Sequence, residues 1–236
     1  MTGRWAYDAV PMSLCARAHV PELLDGDRLD PDALRLNLRE MAMLNRLPGG
    51  VGASVAAVAG LLNGRADASV LDIGAGAGDF ARRLRRVHGA RVVVADRQEQ
   101  VLAVARRNLA GTHGVTLLQA DARDLPLPDD SVDVAHASLL IHHLEPPDAV
   151  AALAEMRRVA KRGVVVNDLR RGWLPYAITT ATVLALARGR YTRHDGLLSA
   201  RRAYTLPELD DLAAAAGLRV AVRSRAAMPR VTTVYR

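Results

Sequence analysis

Three glycines and an acidic residue at close spacing are the residues of this chain that point most directly to ligand chemistry. The segment 70–80 reads VLDIGAGAGDF, so a short apolar run leads into Asp72 and then into Gly74, Gly76 and Gly78. Such an order predicts a strand, a tight turn and the start of a helix. Glycine lets a ligand approach the main chain closely, and the first turn of a helix presents unpaired N–H groups. The segment therefore predicts a binding site for a nucleotide-like ligand.

The spacing of these glycines separates the classes of nucleotide site. A dinucleotide site is typical of G-x-G-x-x-G and a P-loop requires G-x-x-x-x-G-K-[ST], whereas the third glycine here follows the second by two positions and no lysine follows it. The pattern D-x-G-x-G-x-G resembles the first motif of the class I S-adenosylmethionine (SAM)-dependent methyltransferases. The ligand that this resemblance implies has no phosphate, and its ammonium and sulfonium suit a carboxylate and the carbonyl oxygens of a glycine turn.

Polar residues end the strands that are predicted after the glycine turn. RVVVAD ends in Asp96, about twenty residues past the glycines, where a doubly wound fold places a carboxylate on ribose hydroxyls; Asp96 could also cap the next helix. VTLLQAD ends in Asp121, VDVAHA runs into SLLIHHL, and GVVVNDL carries Asp168. Ligands of open α/β sheets bind at these strand ends. The repetition on successive strands strengthens the prediction of a ligand site.

The resemblance implies that SAM is the cofactor, with S-adenosylhomocysteine as the product, and that Asp121 and Ala122 read the adenine edge. The residues predicted to bind the cofactor are Asp72, Gly74, Ala75, Gly76, Gly78, Asp96, Arg97, Asp121, Ala122, His136 and Ala137.

Two adjacent histidines, His142 and His143, follow the predicted fourth strand at the mouth of this site. Histidine titrates near neutral pH and can accept the proton of a hydroxyl acceptor. SLLIHHL is similar to the LHHL stretch of small-molecule methyltransferases related to the ubiquinone, menaquinone and sugar O-methylating enzymes. In some of these a histidine pairs with an acid at the end of the fifth strand, which corresponds to Asp168. We predict His143 as the general base, Asp168 as its orienting residue and His142 as the reserve; a packing or cofactor-contact role is the alternative.

A second polar cluster competes for the catalytic role. Residues 191–204 read YTRHDGLLSARRAY and resemble a bacterial subgroup often associated with polyketide or quinone-like aromatic products. His194 is a second candidate base and Arg201 a candidate for binding a phenolate or carboxylate; the alternative is a polar turn held by the aspartate. No metal is predicted, because zinc spacing is absent and adjacent histidines do not share one helix face.

An uncharged segment, 173–187, precedes this cluster and predicts a helix. It is shorter than the ~20 residues of a membrane span, so it is expected to be buried or to rest on a membrane surface. The resemblance places part of the substrate pocket here, and Trp173 and Tyr176 are predicted to contact an apolar or aromatic acceptor. A plain core helix is the alternative.

The alternation of strands and helices predicts an α/β fold. The resemblance implies a Rossmann-like, seven-stranded, mostly parallel sheet with an antiparallel last strand and helices on both faces. Helices over 31–47 and 51–62 are predicted to form an N-terminal helical lid, residues 1–66. Residues 67–236 form the SAM-binding domain, with an insertion at about 170–204.

Composition narrows the function classes. The 236 residues carry a net charge of +7, and Lys161 is the only lysine. This arginine excess fits a GC-rich genome or an anionic partner such as RNA, but aromatic residues are scarce and no N/D-P-P-Y motif follows the fourth strand. The single cysteine, Cys15, and the lack of an evident signal peptide fit the cytoplasm. We therefore expect O-methylation of a small aromatic or polyketide-type acceptor; C-methylation of a quinol, RNA or protein methylation, and a non-catalytic cofactor-binding module are the alternatives.

Overall fold

A seven-stranded sheet forms the centre of the molecule, for which a computed structural model describes residues 14–26, 29–65, 67–224 and 229–236. The strands are β1 (Ser69–Ile73), β2 (Arg91–Asp96), β3 (Val115–Gln119), β4 (Val132–Ser138), β5 (Ala160–Leu169), β6 (Val220–Arg223) and β7 (Arg230–Tyr235). Their order is β3-β2-β1-β4-β5-β7-β6. Strands β1 to β5 pair in parallel, and β7 is antiparallel to both β5 and β6. The predicted fold class is confirmed.

The helices predicted over 31–47, 51–62 and 173–187 are present and end within three residues of those bounds, and five further α-helices lie in the described part of the chain. The helices are α1 (Pro31–Leu44), α2 (Val51–Leu62), α3 (Asp79–His88), α4 (Glu99–Asn108), α5 (Pro146–Val159), α6 (Trp173–Leu186), α7 (Arg190–Arg202) and α8 (Leu206–Ala215), with 3-10 turns at Leu23–Asp25 and Ile141–His143. Asp30 caps α1 by accepting hydrogen bonds from two backbone N–H groups, and Pro31 occupies the first helical position. Thr205 and Glu208 form a capping box at the start of α8.

Both faces of the sheet are covered, which explains why its strands read as continuous apolar runs. Successive side chains of a strand point to opposite faces. In β1, Leu71 packs with the cluster beneath α5 and α8, whereas its neighbour Val70 packs with the cluster beneath α2, α3 and α4. Burying one such side chain contributes about 1.5–3 kcal/mol. This double burial holds the strand ends in fixed positions, and the ligand site is built on those ends.

The cover over the carboxyl edge of the sheet comes from distant parts of the chain. Residues 17–25 and helices α1, α6 and α7 lie there, and Leu34, Leu38 and Tyr191 share a small apolar cluster with Val101 of α4. Helix α2 instead packs against the sheet through Val58 and Leu62, so it contributes to the core. The division into a lid and a second domain stays a prediction.

Helices α6 and α7 form the predicted insertion. The interpretation of His194–Gly196 as a turn is wrong, because these residues lie inside α7. Helix α6 exposes apolar side chains, among them Trp173, Leu174 and Leu184. No helix in the described part of the chain has the length and apolarity needed to cross a membrane; contact with a membrane surface stays a prediction.

Candidate functional site

The glycine turn between β1 and α3 adopts a conformation that side chains disfavour. Gly74 and Gly76 have φ values of 63° and 54°, in the left-handed region that glycine tolerates. A Cβ on Gly74 would lie 2.9 Å from Cδ1 of Leu140. The turn therefore depends on glycine both for its backbone angles and for its close approach to the loop after β4.

Asp72 presents a carboxylate oxygen beneath this turn. Its Oδ1 lies 2.8 Å from Nδ1 of His136, whose Nε2 lies 2.9 Å from Oγ of Ser54. Its Oδ2 is buried and has no hydrogen-bond partner among the described residues. A buried acceptor without a donor is costly, and a ligand ammonium beside Asp72 would satisfy it. The residues at the turn thus fit the cationic methionine part of SAM.

Asp96 performs two structural tasks at the end of β2. Its Oδ2 accepts a hydrogen bond from the Gly76 N–H at 3.4 Å, and its Oδ1 accepts one from the Gln98 N–H at 3.0 Å. Burial raises the pKa of Asp96 above its ordinary value, and the hydrogen bonds only partly oppose this. Both predicted roles, the helix cap and a cavity-lining acid, are compatible with this position.

Asp121 lies at the rim of the same cavity, but Arg123 engages both of its carboxylate oxygens. Nε of Arg123 lies 2.9 Å from Oδ1 and Nη2 lies 2.7 Å from Oδ2. The hydrogen bonds from Arg123 are the main cause of a lowered pKa of Asp121. Arg97 and Ala122 line the cavity beside it.

Three predicted cofactor residues lie outside the cavity lining. His136 is completely buried, and its ring stacks on Phe80 with 3.8 Å between centroids. Ala137 is buried in the sheet, and a Cβ on Gly78 would point at Leu109. Strand β4 turns the side chains of His136 and Ala137 into the core, and His136 holds Asp72 there. Cofactor contact by these three residues stays a prediction.

One cavity of about 680 Å³ joins the glycine turn to the two histidines. This volume lies in the usual range of small-molecule sites, about 300–1,000 Å³. Leu34, Leu38 and Met41 of α1 and Ile178 and Val183 of α6 supply apolar walls. The cavity therefore combines a polar end at the strand termini with an apolar end beneath the helical cover.

His143 pairs with Asp25 and not with Asp168, so the predicted pair is wrong. Its Nδ1 lies 2.9 Å from Oδ1 of Asp25. Burial works to raise the pKa of Asp25, but hydrogen bonds and charge from His143, together with Glu22 N–H and Arg202, hold it well below its ordinary range. An ionised carboxylate can only accept, so Nδ1 of His143 carries a hydrogen and Nε2 keeps its lone pair in the neutral ring.

Asp168 pairs with His142, because consecutive residues of the 3-10 turn direct their rings to different carboxylates. Nδ1 of His142 lies 2.6 Å from Oδ1 of Asp168, and the His142 N–H donates to Oδ2 at 3.2 Å. The pKa of Asp168 is lowered. Burial alone would raise it, but the charge and hydrogen bonds of His142 outweigh the effect of burial. The His142 side chain is 2% exposed and that of His143 is 23% exposed. His143 is thus the more accessible imidazole.

Glu22 completes this group from the cover. Its Oε1 lies 3.8 Å from Nε2 of His142 and its Oε2 lies 3.7 Å from Nδ1 of His143. Burial raises the pKa of Glu22 to about 7. The contacts of Ser199 are compatible with a protonated Glu22. The Oγ of Ser199 lies 2.7 Å from the Asp195 carbonyl oxygen and 2.9 Å from Oε1 of Glu22. The single hydroxyl proton of Ser199 can be donated to only one of these two oxygens. When Ser199 donates it to the Asp195 carbonyl, a protonated Glu22 can donate its own proton to Oγ of Ser199.

Glu22, His142 and His143 also bring one nitrogen or oxygen each within 4.8 Å of one another, a separation from which a metal ion could be held. The sequence argument against a metal assumed that adjacent histidines cannot share one face of a helix. Here the two histidines lie in a 3-10 turn, and their ring centroids are 4.3 Å apart.

The predicted substrate residues Trp173, Tyr176 and Arg201 lie away from this cavity. They border a separate pocket of about 10 Å³, and Trp173 is 64% exposed. Helix α6 turns Ile178, Thr179 and Val183 toward the large cavity instead. Substrate contact by Trp173, Tyr176 and Arg201 stays a prediction. His194 is also outside the cavity lining; its side chain is 43% exposed and its Nδ1 lies 2.7 Å from Asp195.

Residues that sequence reasoning missed come mainly from the cover. Glu22, Asp25 and Arg202 all line the cavity. Nη1 of Arg202 donates to Asp25 at 2.6 Å and its Nη2 donates to the His143 carbonyl at 2.6 Å. The only local signal is the acid spacing in PELLD, which indicates a capped turn and nothing about histidines more than a hundred residues away.

Comparisons with known proteins agree with this geometry. A family model described as a methyltransferase domain matches residues 70–163. A demethylmenaquinone methyltransferase of Clavibacter sepedonicus is 42% identical over 94 residues, which are 40% of this chain and 37% of that protein. The ubiquinone/menaquinone biosynthesis C-methyltransferase UbiE of Burkholderia mallei (strain SAVP1) is 38% identical over 118 residues, 48% of each chain.

The fold likeness extends further than the sequence likeness. The crystal structure of a SAM-dependent methyltransferase from Aquifex aeolicus superposes with a TM-score of 0.59 at 20% identity, over 88% of this chain and 98% of that one. The sequence matches span less than half the length of the two curated relatives. Residues 70–163 thus match a methyltransferase domain, and this part of the chain is similar to the quinone methyltransferases.

Proposed function

We propose that this protein methylates a small, largely apolar acceptor that binds beside SAM in the 680 Å³ cavity. The observation that carries the proposal is that one cavity joins the glycine turn and Asp72 to the two imidazole–carboxylate pairs. When bound, SAM supplies an electrophilic methyl carbon on a sulfonium. The protein then has to hold the acceptor in line with that carbon and remove the acceptor's proton.

We assign the proton transfer to His143. Nε2 of His143 has the lone pair that accepts the hydroxyl proton, and Asp25 accepts the Nδ1–H and stabilises the imidazolium that results. The acceptor oxygen would give its proton to Nε2 and take the methyl group as the carbon–sulfur bond breaks, with the bond pair staying on sulfur so that S-adenosylhomocysteine leaves. The proton would pass later from Nε2 to solvent. His142 and Asp168 lie behind this pair and fix the turn from which His143 projects.

The cavity walls support the proposed class of acceptor. Leucine, methionine, isoleucine and valine side chains of α1 and α6 favour a flat apolar body, and the histidines favour a hydroxyl at one end. We therefore propose O-methylation of a phenolic or polyketide-type molecule. C-methylation of a quinol ring is the second candidate, because the matched relative from Burkholderia mallei is described as a C-methyltransferase. The same phenolate can react through its ring carbon.

In the experiment, the protein is incubated with SAM that carries a ¹³C-labelled methyl group and with an extract of the source cells. The reaction mixture is then separated by size. Label in the small, organic-extractable fraction is the expected result, and label in RNA or protein would refute the acceptor class. NMR of the product then separates a methoxy carbon from an aryl methyl carbon, which decides between the two candidates. A His143→Ala reaction run in parallel shows whether the labelled product comes from this site.

A further inference from the structure

A charged side chain that the proposed chemistry does not use, Arg230, lines the same cavity. It is the first residue of β7 and pairs with Leu169, the last residue of β5. Its side chain reaches across the carboxyl edge of the sheet toward the end of β4 and the loop between α1 and α2. Nη2 donates to Oγ of Ser138 at 2.7 Å, Nε donates to Oδ1 of Asn167 at 3.1 Å, and Nη1 donates to Oδ1 of Asn45.

All three of these acceptors are neutral. The nearby carboxylates are Asp168, which is paired with His142, and Asp79, which accepts a hydrogen bond from Asn45. Burial raises the pKa of Asp79, and burial lowers the pKa of Arg230 to about 10 although both carboxylates oppose this. Within the described residues, the guanidinium thus has no carboxylate at hydrogen-bond distance. A partly buried charge without a paired counter-charge is less stable than a paired one.

The three neutral acceptors fix the guanidinium and leave it open to the cavity. Arg230 has five N–H groups, and a planar guanidinium binds a carboxylate through two parallel hydrogen bonds. Arginine is suited to this task because its fork matches the carboxylate geometry and it stays charged even when its pKa is lowered to about 10. A ligand anion would supply the counter-charge that this position lacks.

We propose that Arg230 binds a carboxylate inside the cavity. Two sources have this chemistry: the α-carboxylate of the cofactor and a carboxylate on the acceptor. The choice of these two sources rests on the proposed function. Carboxylate binding to Arg230 can be measured without any methyl transfer, so this proposal can be refuted independently of the proposed function.

The test compares the wild-type protein with Arg230→Gln by titration calorimetry. The probes are S-adenosylhomocysteine, its analogue without the carboxylate, and benzoate added to the protein that is saturated with S-adenosylhomocysteine. If the cofactor is the source, Arg230→Gln weakens S-adenosylhomocysteine about 10–100-fold, the scale of charge-assisted hydrogen bonds, and leaves the analogue unchanged. If the acceptor is the source, only benzoate binding is lost. The proposal would be overturned if Arg230→Gln bound both carboxylate probes with the same affinities as the wild-type protein.

Two further variants keep the result interpretable. Arg223→Gln is the matched control, because this arginine lies on β6 and pairs with Asp210, away from the cavity; its affinities should equal those of the wild type. Arg230→Lys keeps the charge and loses the two-pronged geometry, so we expect a smaller loss, about 3–10-fold. Should Arg230→Gln fail to fold, the lysine variant carries the test, and an unchanged affinity for both probes would then refute the assignment.

Discussion

The buried acid Glu22 leads to the sharpest prediction, which concerns the substitution Glu22→Gln. Glu22 faces His142, His143, Asp25 and Asp195, and burial raises its pKa from 4.5 to about 7. A carboxyl with a raised pKa in the folded state stabilises the fold fully below its unfolded pKa, and this stabilisation is lost as the pH rises through about 7. Glutamine has nearly the same shape and does not ionise. The variant should therefore escape this loss.

The magnitude follows from the size of the shift. About 1.4 kcal/mol per pKa unit gives a full effect of about 3 kcal/mol, most of which falls between about pH 5 and about pH 8.5. Urea unfolding across this range measures the free energy of unfolding of both proteins. We expect the difference, Glu22→Gln minus wild type, to grow in favour of the variant by this amount. Glu99→Gln, at an exposed carboxylate of α4, controls for the substitution itself. A difference that stays constant with pH would refute the argument that burial dominates at Glu22.

Three other predictions concern the ligand site. Asp96→Ala should weaken S-adenosylhomocysteine binding by about 1.5–3 kcal/mol, the scale of charge-assisted hydrogen bonds; unchanged binding by calorimetry would remove Asp96 from the site. His143→Ala should slow turnover by roughly 10²–10⁴ with the cofactor affinity retained, and a larger loss in His142→Ala would transfer the base role to the pair with Asp168. Val183→Ser should raise the KM of an apolar acceptor, whereas Trp173→Ala should leave kcat/KM within about threefold of the wild type. The reason is that Val183 lines the cavity and Trp173 does not. A larger effect of Trp173→Ala than of Val183→Ser would contradict the assignment of the cavity wall.

The strands and most helices were predictable because the local pattern and the tertiary structure agree. In β2, RVVVAD is apolar throughout its middle because both faces of the strand are covered. Helix α7 was not predictable in this way. Its buried positions include Thr192, Asp195 and Ser199, so helical spacing is present but is made of polar residues. Gly196, which resembles a turn signal, instead allows close packing, since a Cβ there would lie 2.9 Å from Cγ2 of Val183.

The cofactor end of the site was more predictable than the catalytic end. Asp72, Gly74 and Asp96 belong to one continuous strand–turn–helix–strand unit, so their spacing in sequence reflects their spacing in the fold. Asp25 and His143 are 118 positions apart, and Glu22 and Ser199 are 177 positions apart. No local pattern specifies which of two adjacent imidazoles meets which carboxylate. That choice depends on how the helical cover docks on the sheet.

The antiparallel direction of β7 links ligand binding to the folding of the whole chain. Because β7 runs opposite to β5, its first residue lies at the edge where the parallel strands end. From there Arg230 reaches Ser138 and Asn45, which are 92 and 185 positions away in the sequence. The cavity wall is therefore complete only when segments from near both ends of the described chain have come together. A ligand present at about 100 times its Kd adds about 2.7 kcal/mol to the free energy of unfolding, and that gain is shared by the entire cooperative unit.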